Sequence, residues 1–120
     1  MNRTYTIELL DTIITLRFNQ NPTVDDIRAS LKEASKINPG DLRLWDFSRG
    51  VDLTVHDVKD VAHYAKAIQM QPGKVAIIAP QDLTFGLFRV YMAHRNEARV
   101  TLDVFRTEEE GIDWLKRPGR

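Results

Sequence analysis

The chain of 120 residues suits a single domain of ordinary size, and its hydrophobic fraction of 42% and charged fraction of 28% are typical of a soluble globular protein. Lys and Arg together number 17, as do Asp and Glu, so the net charge is zero and the chain lacks the basic excess of a nucleic-acid-binding protein. It has no cysteine, no apolar run near the ~20 residues that span a bilayer and no signal-peptide pattern, so we expect a cytoplasmic protein without disulfides, cysteine-ligated metal or a transmembrane segment.

The first forty residues predict a β-hairpin followed by a helix. Apolar and polar residues alternate over residues 4–18, which indicates two antiparallel strands with one buried and one wetter face, the wetter face including Thr15. Thr23 and Asp26 then form the Thr-x-x-acid pattern of a helix start. The Asn-Pro-Gly segment at residues 38–40 ends that helix.

The rest of the chain alternates strands with helices. The predicted elements are a strand at residues 42–46, a helix from Thr54 to residues 71–73, a strand at 74–79, a helix at 82–96, a strand at 100–104 and a short helix after Thr107. The strand at 74–79 is a continuous apolar run, which is typical of a central strand.

This order, β-β-α-β-α-β-α-β-α, predicts an α/β fold with a mixed five-stranded sheet, in which parallel strands are joined by right-handed crossovers. If the strands follow the chain order, every crossover lies on the same side, so we expect the helices mainly on one face. We expect a single domain over residues 1–116 and a loose C-terminal tail over residues 117–120.

Three segments of the sequence resemble a known family. They read LRLWDFSRGVDLT from Leu42, KVAIIAPQDLTFGLFR from Lys74 and VFRTEEEGIDWL from Val104. Together with the element order, they make nearly the whole chain similar to the STAS (anti-sigma-factor antagonist) fold, and especially to its SpoIIAA-like branch of small bacterial proteins. The resemblance implies a STAS-like domain whose role is regulatory.

The phosphorylation switch of that family gives candidate residues by resemblance. Anti-sigma-factor antagonists carry Asp-x-Ser after a strand and then Asp-Ser-Ser/Thr-Gly at the next helix start, where a kinase phosphorylates the serine. Asp46 and Ser48 match the first motif, whereas the second is missing and only Thr54 offers a hydroxyl near its place. Thr54 is alternatively a plain N-cap, and Asp52 and Asp57 would repel a phosphate, so we expect no switch.

Asp46, Ser48 and Arg49 lie beyond the carboxyl end of a strand, where α/β sheets bind ligands. Arg49 suits an anion, or alternatively pairs with Asp46 or Asp52 across the loop. The sequence places no base beside Ser48, so a nucleophile at this position would lack its activator.

No metal or cofactor is expected. His56, Asp60 and His63 share one face of the second helix, but the two histidines are about 10 Å apart along the axis, which is too far for one ion. No phosphate loop or catalytic constellation is present either, so we expect no catalytic residue and no enzyme.

The helix at 82–96 has two apolar stripes, whereas a surface helix has one. The stripes are Leu83, Leu87 and Val90, which we expect to face the core, and Phe85, Phe88 and Met92 on nearly the opposite side. The second stripe predicts an interface, a lid over an apolar pocket or a membrane contact. Alternatively, the last helix covers it.

The leading expectation is therefore a non-enzymatic interaction or regulatory module that binds a protein partner or itself, as a homodimer through the second stripe. One alternative is a carrier or sensor of a small apolar ligand or lipid, with a peripheral membrane contact. The other is a phosphorylation-switched anti-sigma-factor antagonist, which the missing second motif disfavours.

Overall fold

The computed structural model describes residues 4–19, 21–37, 41–68, 72–95 and 100–117. The strands are β1 (Tyr5–Leu10), β2 (Ile13–Phe18), β3 (Leu42–Asp46), β4 (Gly73–Ile78) and β5 (Val100–Phe105), and the helices are α1 (Val24–Ser35), α2 (Val55–Ala67), α3 (Asp82–Arg95) and α4 (Glu108–Lys116). This confirms the expected order β-β-α-β-α-β-α-β-α. The expected helix stop at residues 38–40, residues 71 and 96, and residues 118–120 of the expected loose tail lie outside the described residues.

The five strands form one sheet in the order β1-β2-β3-β4-β5. β1 is antiparallel to β2, and the other three pairings are parallel, so the sheet is mixed as expected. Because the spatial order follows the chain order, the crossovers place α1, α2 and α3 on the same face. Asp11 turns the hairpin between β1 and β2 with a φ of 62°, a left-handed conformation that Asp tolerates better than most residues.

The main core lies between the sheet and the helices α1, α2 and α3. Strand residues such as Leu16, Trp45 and Ile77 are buried there against helix residues such as Leu31 and Val61. Aromatic rings extend this core towards the carboxyl ends of the strands. The ring of Phe47 stacks on Phe18 with centroids 4.5 Å apart and on Phe88 with centroids 4.3 Å apart.

The opposite face of the sheet is covered by α4. A second cluster of buried residues lies there, formed by Ile13, Leu44, Ala76, Ile78 and Leu115. Gly111 permits the close approach of the helix, since a Cβ at this position would lie 2.6 Å from Cδ1 of Ile78. Three helices therefore pack on one face and one packs on the other, which agrees with the expectation of helices mainly on one face.

Lys74 caps the C-terminus of α4 from the sheet. Its Nζ donates hydrogen bonds to the backbone oxygens of Trp114 and Arg117, each at 3.0 Å, and lies 4.8 Å from the centre of the Trp114 ring. The last carbonyls of a helix have no partner within the helix and carry partial negative charge. The buried ammonium of Lys74 therefore supplies hydrogen-bond donors to these carbonyl oxygens and compensates their partial negative charge.

The expected orientation of α3 is wrong. The residues of α3 that are buried are Thr84, Phe88, Tyr91 and Arg95, whereas Leu83 is 81% exposed. The second stripe faces the core because Phe47, directly after β3, offers Phe88 a stacking partner. Phe85 and Met92 pack at the edges of the same core, and α4 does not cover them because it lies across the sheet.

The wetter face expected for β2 is also wrong at Thr15. Its side chain is buried, with only 2% exposure, on the face where α4 packs, and Leu16 is buried on the other face. Thr is polar enough to suggest solvent, but its methyl group packs well within a sheet. Among the described residues, no helix is both long enough and apolar enough to cross a membrane.

Candidate functional site at the carboxyl end of the sheet

Asp46 is the last residue of β3, and both of its carboxylate oxygens are engaged. Oδ1 accepts a hydrogen bond from the backbone N–H of Ser48 at 2.9 Å and another from the Ser48 hydroxyl. Oδ2 accepts from Nη1 of Arg17 at 2.8 Å. The contact with Ser48 is an Asx turn, in which a carboxylate organises the backbone two residues ahead. Asp46 thus shapes the loop that leaves β3.

Arg17 brings two further carboxylates to Asp46. Its guanidinium donates to both carboxylate oxygens of Glu108, at the start of α4, and Nε lies 3.4 Å from Oε1 of Glu8 on β1. The hydrogen bonds and charges of Glu108 and Asp46 raise the pKa of Arg17 above its ordinary value, against the opposing effect of burial. Arg17 therefore stays cationic at any working pH and joins β1, β2, β3 and α4.

The loop after β3 is held at several points. The N–H of Phe47 donates to the carbonyl oxygen of Ile78 at 2.9 Å, and the N–H of Gly50 donates to the carbonyl oxygen of Phe47 at 2.8 Å. Gly50 has a φ of 85°, which glycine adopts without strain. Nε2 of Gln81 donates to the carbonyl oxygen of Ser48 at 3.2 Å and so ties this loop to the one before α3.

Arg49 lies on this ordered loop, but it does not pair with Asp46 as one interpretation of the sequence held. Arg17 occupies that carboxylate instead. Arg49 is exposed, and it makes no hydrogen bond or ion pair with any residue that the structure describes. A cation is therefore displayed on a fixed backbone beside Ser48, which is also exposed.

Thr54 is the N-cap of α2. Its hydroxyl accepts from the N–H of Asp57 at 3.1 Å, and the Asp57 carboxylate accepts from the N–H of Thr54 at 2.9 Å. The same reciprocal pair occurs at Thr23 and Asp26 in α1. The hydroxyl of Thr54 thus has a structural partner, and the carboxylates of Asp57 and Asp52 line the groove beside it.

Two apolar side chains are exposed at this same end of the sheet. Leu83, in the first turn of α3, is 81% exposed, and Val55, the first residue of α2, is 47% exposed. α2 and α3 pack against each other, and both begin at the carboxyl ends of their preceding parallel strands. We call Arg49, Val55 and Leu83 the edge surface.

Sequence reasoning placed Asp46, Ser48, Arg49 and Thr54 at one end of the sheet, and the structure brings them there. It missed Arg17, whose partner Glu108 is distant in sequence, and it assigned Leu83 to the core. The one available signal was that Arg17 is the only charged residue in β2. Of the other sequence candidates, Asp60 pairs with Arg28 at 3.3 Å, which leaves the helix face of His56 and His63 as a solvated surface.

The described residues contain no group of three or more His, Cys, Asp or Glu side chains arranged to hold a metal ion. Ser48 has an aspartate as its nearest polar neighbour, and that aspartate is bonded to Arg17. These hydrogen bonds order the loop, so the site offers a rigid surface.

A comparison with solved structures identifies the fold. The chain is similar to an uncharacterized protein of the DUF3478 family from Shewanella loihica PV-4, whose crystal structure is described as having a SpoIIAA-like fold. The two share 18% sequence identity and superpose with a TM-score of 0.61 over 92% of this chain and 91% of the other. No protein-family model and no curated protein matches the sequence. The protein has a SpoIIAA-like fold.

Proposed function

We propose that the protein is a non-enzymatic interaction module that binds a protein partner through the edge surface. The observation that carries the proposal is Leu83, a large apolar side chain that is 81% exposed in the first turn of α3. Single exposed leucines are common on protein surfaces. This one lies at the end of the sheet where function collects in α/β folds, beside a loop that a hydrogen-bond network holds in place.

The chemistry of the edge surface favours a particular kind of partner. Leu83 and Val55 supply apolar contacts, and Arg49 supplies a cation with no carboxylate partner among the described residues. Because the backbone around Ser48 is fixed, binding there requires little ordering of the loop. The matching partner surface presents an apolar side chain next to an Asp or Glu.

The two alternatives expected from the sequence have less support. An apolar-ligand carrier with α3 as its lid would need space behind α3, and Phe88 fills that space by stacking on Phe47. A phosphorylation switch would need a free hydroxyl at Thr54, and that hydroxyl accepts the capping bond from Asp57. Neither alternative accounts for the exposure of Leu83.

Site-specific cross-linking tests the proposal. A photoreactive amino acid is placed at Leu83 and, in a control protein, at Lys32, which is exposed on α1. We expect the Leu83 probe to capture a discrete protein in the native cell that the Lys32 probe does not. With that partner purified, Leu83→Glu should weaken binding by about tenfold or more without lowering the melting temperature, because it removes an apolar contact and places a carboxylate against a partner surface that is apolar and acidic.

The control for binding is Lys32→Glu, which places the same carboxylate at an exposed position on α1. It should leave the affinity for the captured partner unchanged. Identical captures from both probe positions, or full binding by the Leu83→Glu variant, would rule out the edge surface as the contact.

A further inference from the structure

Among the residues that the structure describes, no strand pairs with the outer edge of β1. β1 is the first strand of the sheet, and the N–H of Asn19 donates to the carbonyl oxygen of Thr4 at 2.8 Å. In an antiparallel pair, backbone groups of alternate residues point to the partner strand. With the observed register, the backbone groups of Thr6 and Glu8 therefore point to β2, and those of Ile7 and Leu9 point outwards.

The other edge of the sheet, at β5, is protected. The N–H of Ala79 donates to the carbonyl oxygen of Phe105, so the backbone groups of Phe105 face β4 and those of Val104 face outwards. The side chain of Asp103 accepts the hydrogen bond of that outward N–H at 2.8 Å. A carboxylate in this place blocks a further strand, as natural sheets commonly do at their edges.

β1 lacks these protections. Its sequence is YTIELL, with no proline and no lysine, and its one charged residue is Glu8. Leu9 and Leu10 are 56% and 42% exposed, which leaves apolar side chains on both faces of the end of the strand. Edge strands that expose apolar side chains are those that pair with another chain.

We infer that β1 pairs with β1 of a second copy of this chain, in antiparallel orientation about a two-fold axis beside Ile7, to form a continuous ten-stranded sheet. The outer edge of β1 is separate from the edge surface formed by Arg49, Val55 and Leu83, so the inference adds to the proposed function and does not depend on it. In this register Ile7 opposes Ile7 of the second copy, and the outward backbone groups of the two isoleucines bond to each other. A two-fold axis makes the contact self-complementary and closed.

Side-chain chemistry selects this register. On the face towards α1, Leu9 opposes Tyr5 of the second copy, an aromatic–aliphatic pair of the kind that stabilises antiparallel strands. On the other face, Glu8 opposes Thr6. A two-fold axis beside Glu8 instead would place Glu8 directly against Glu8 of the second copy, and like charges in that position destabilise a strand pair.

Matched leucine-to-lysine changes test the inference by analytical ultracentrifugation. The wild-type protein should sediment as a concentration-dependent dimer. Leu9→Lys should weaken dimerisation by about tenfold or more, because it adds a charge to the pairing edge. Leu83→Lys, the same change on the edge surface, should leave the dimer intact. The melting temperatures of the dilute, monomeric proteins should agree, since both leucines are exposed in the monomer.

Hydrogen exchange supplies a second readout at the level of single amides. The amides of Ile7 and Leu9 should be protected in concentrated samples and exchange quickly in dilute ones. The amide of Glu8, which points to β2, should be protected in both. A wild-type monomer up to millimolar concentration, a dimer that only Leu83→Lys dissociates, or equal exchange of Ile7 and Leu9 at both concentrations would each overturn the inference.

Discussion

Arg17 and Glu108 are joined by two parallel hydrogen bonds, from Nη1 to Oε1 at 2.7 Å and from Nη2 to Oε2 at 3.0 Å. The residues are 91 positions apart in the chain, and the pair links β2 to the first turn of α4. Bidentate arginine–carboxylate pairs have the most restrictive geometry of protein ion pairs. Nη1 also bonds to Asp46, so one guanidinium fixes both α4 and the loop that carries Ser48.

Replacing Arg17 with Met should therefore destabilise the protein by about 1–3 kcal/mol, because it leaves the buried carboxylate of Asp46 without its charged donor. The matched control is Arg117→Met, which removes an exposed pair with Asp113 and should change stability by less than about 0.5 kcal/mol. Urea denaturation at neutral pH measures both. Equal losses in the two variants would show that the Arg17 network is no more than a surface ion pair.

Phe88 and Leu83 should respond to truncation in the opposite way to that expected from the sequence. Phe88→Ala removes a buried ring that stacks on Phe47 and should cost about 3–5 kcal/mol. Leu83→Ala should stay within about 0.5 kcal/mol of the wild type, since the side chain is solvent-exposed. Chemical denaturation compares the two. A larger loss for Leu83→Ala would contradict the observed orientation of α3.

Tyr91 should make stability fall with pH in the alkaline range. Burial raises the pKa of Tyr91 from 10.0 to about 12, although the charge of Arg95 acts in the opposite direction. The unfolded chain therefore loses this proton near pH 10, whereas the folded chain keeps it until about pH 12. The contribution is fully present below pH 10 and is lost as the pH rises from 10 to 12.

Two units of pKa correspond to a loss of about 3 kcal/mol across that range. The quantity to measure is the stability difference between the wild type and Tyr91→Phe, obtained by urea denaturation at successive pH values, because this difference isolates the contribution of the Tyr91 hydroxyl. Between pH 10 and pH 12, the wild type should lose that amount of stability relative to Tyr91→Phe. A difference that is independent of pH would mean that Tyr91 ionises as easily in the folded protein as in the unfolded chain.

Thr54 should behave as a cap and not as a regulatory site. Thr54→Ala and Thr23→Ala remove equivalent capping hydroxyls, so each should cost about 1 kcal/mol. Intact-mass and fragment analysis of protein from its native cell should find no phosphate on Thr54 or Ser48. Stoichiometric phosphate at either residue would restore the anti-sigma-factor-antagonist interpretation.

The local features of the fold could be predicted from the sequence because they depend on neighbouring residues. The caps at Thr23 and Thr54 follow from a four-residue pattern, and the central strand follows from an uninterrupted apolar run. Asp46 and the loop after it were located because strand ends, turn residues and helix starts are all local signals. The order of elements then limited the possible sheets to a few.

The orientation of α3 could not be predicted because two stripes of similar apolarity lie on the same helix. The choice between them depends on the surface that receives the helix, which here is the ring of Phe47. Thr15 is buried for a related reason. α4 packs on a face of the sheet that the alternation of apolar and polar residues predicts to be exposed to solvent. The Arg17–Glu108 pair likewise depends on tertiary structure alone.

The placement of α4 gives the two faces of the sheet different susceptibility to local unfolding. α1 and α2 pack on each other and α2 packs on α3, whereas α4 packs on strands. A helix of nine residues with no neighbouring helix in the main core can detach while that core stays folded. Detachment would uncover Ile13, Leu44, Ala76 and Ile78 as an apolar strip on an intact sheet. The contacts of Lys74 and Arg17 with α4 therefore also limit how often the native protein exposes a surface prone to aggregation.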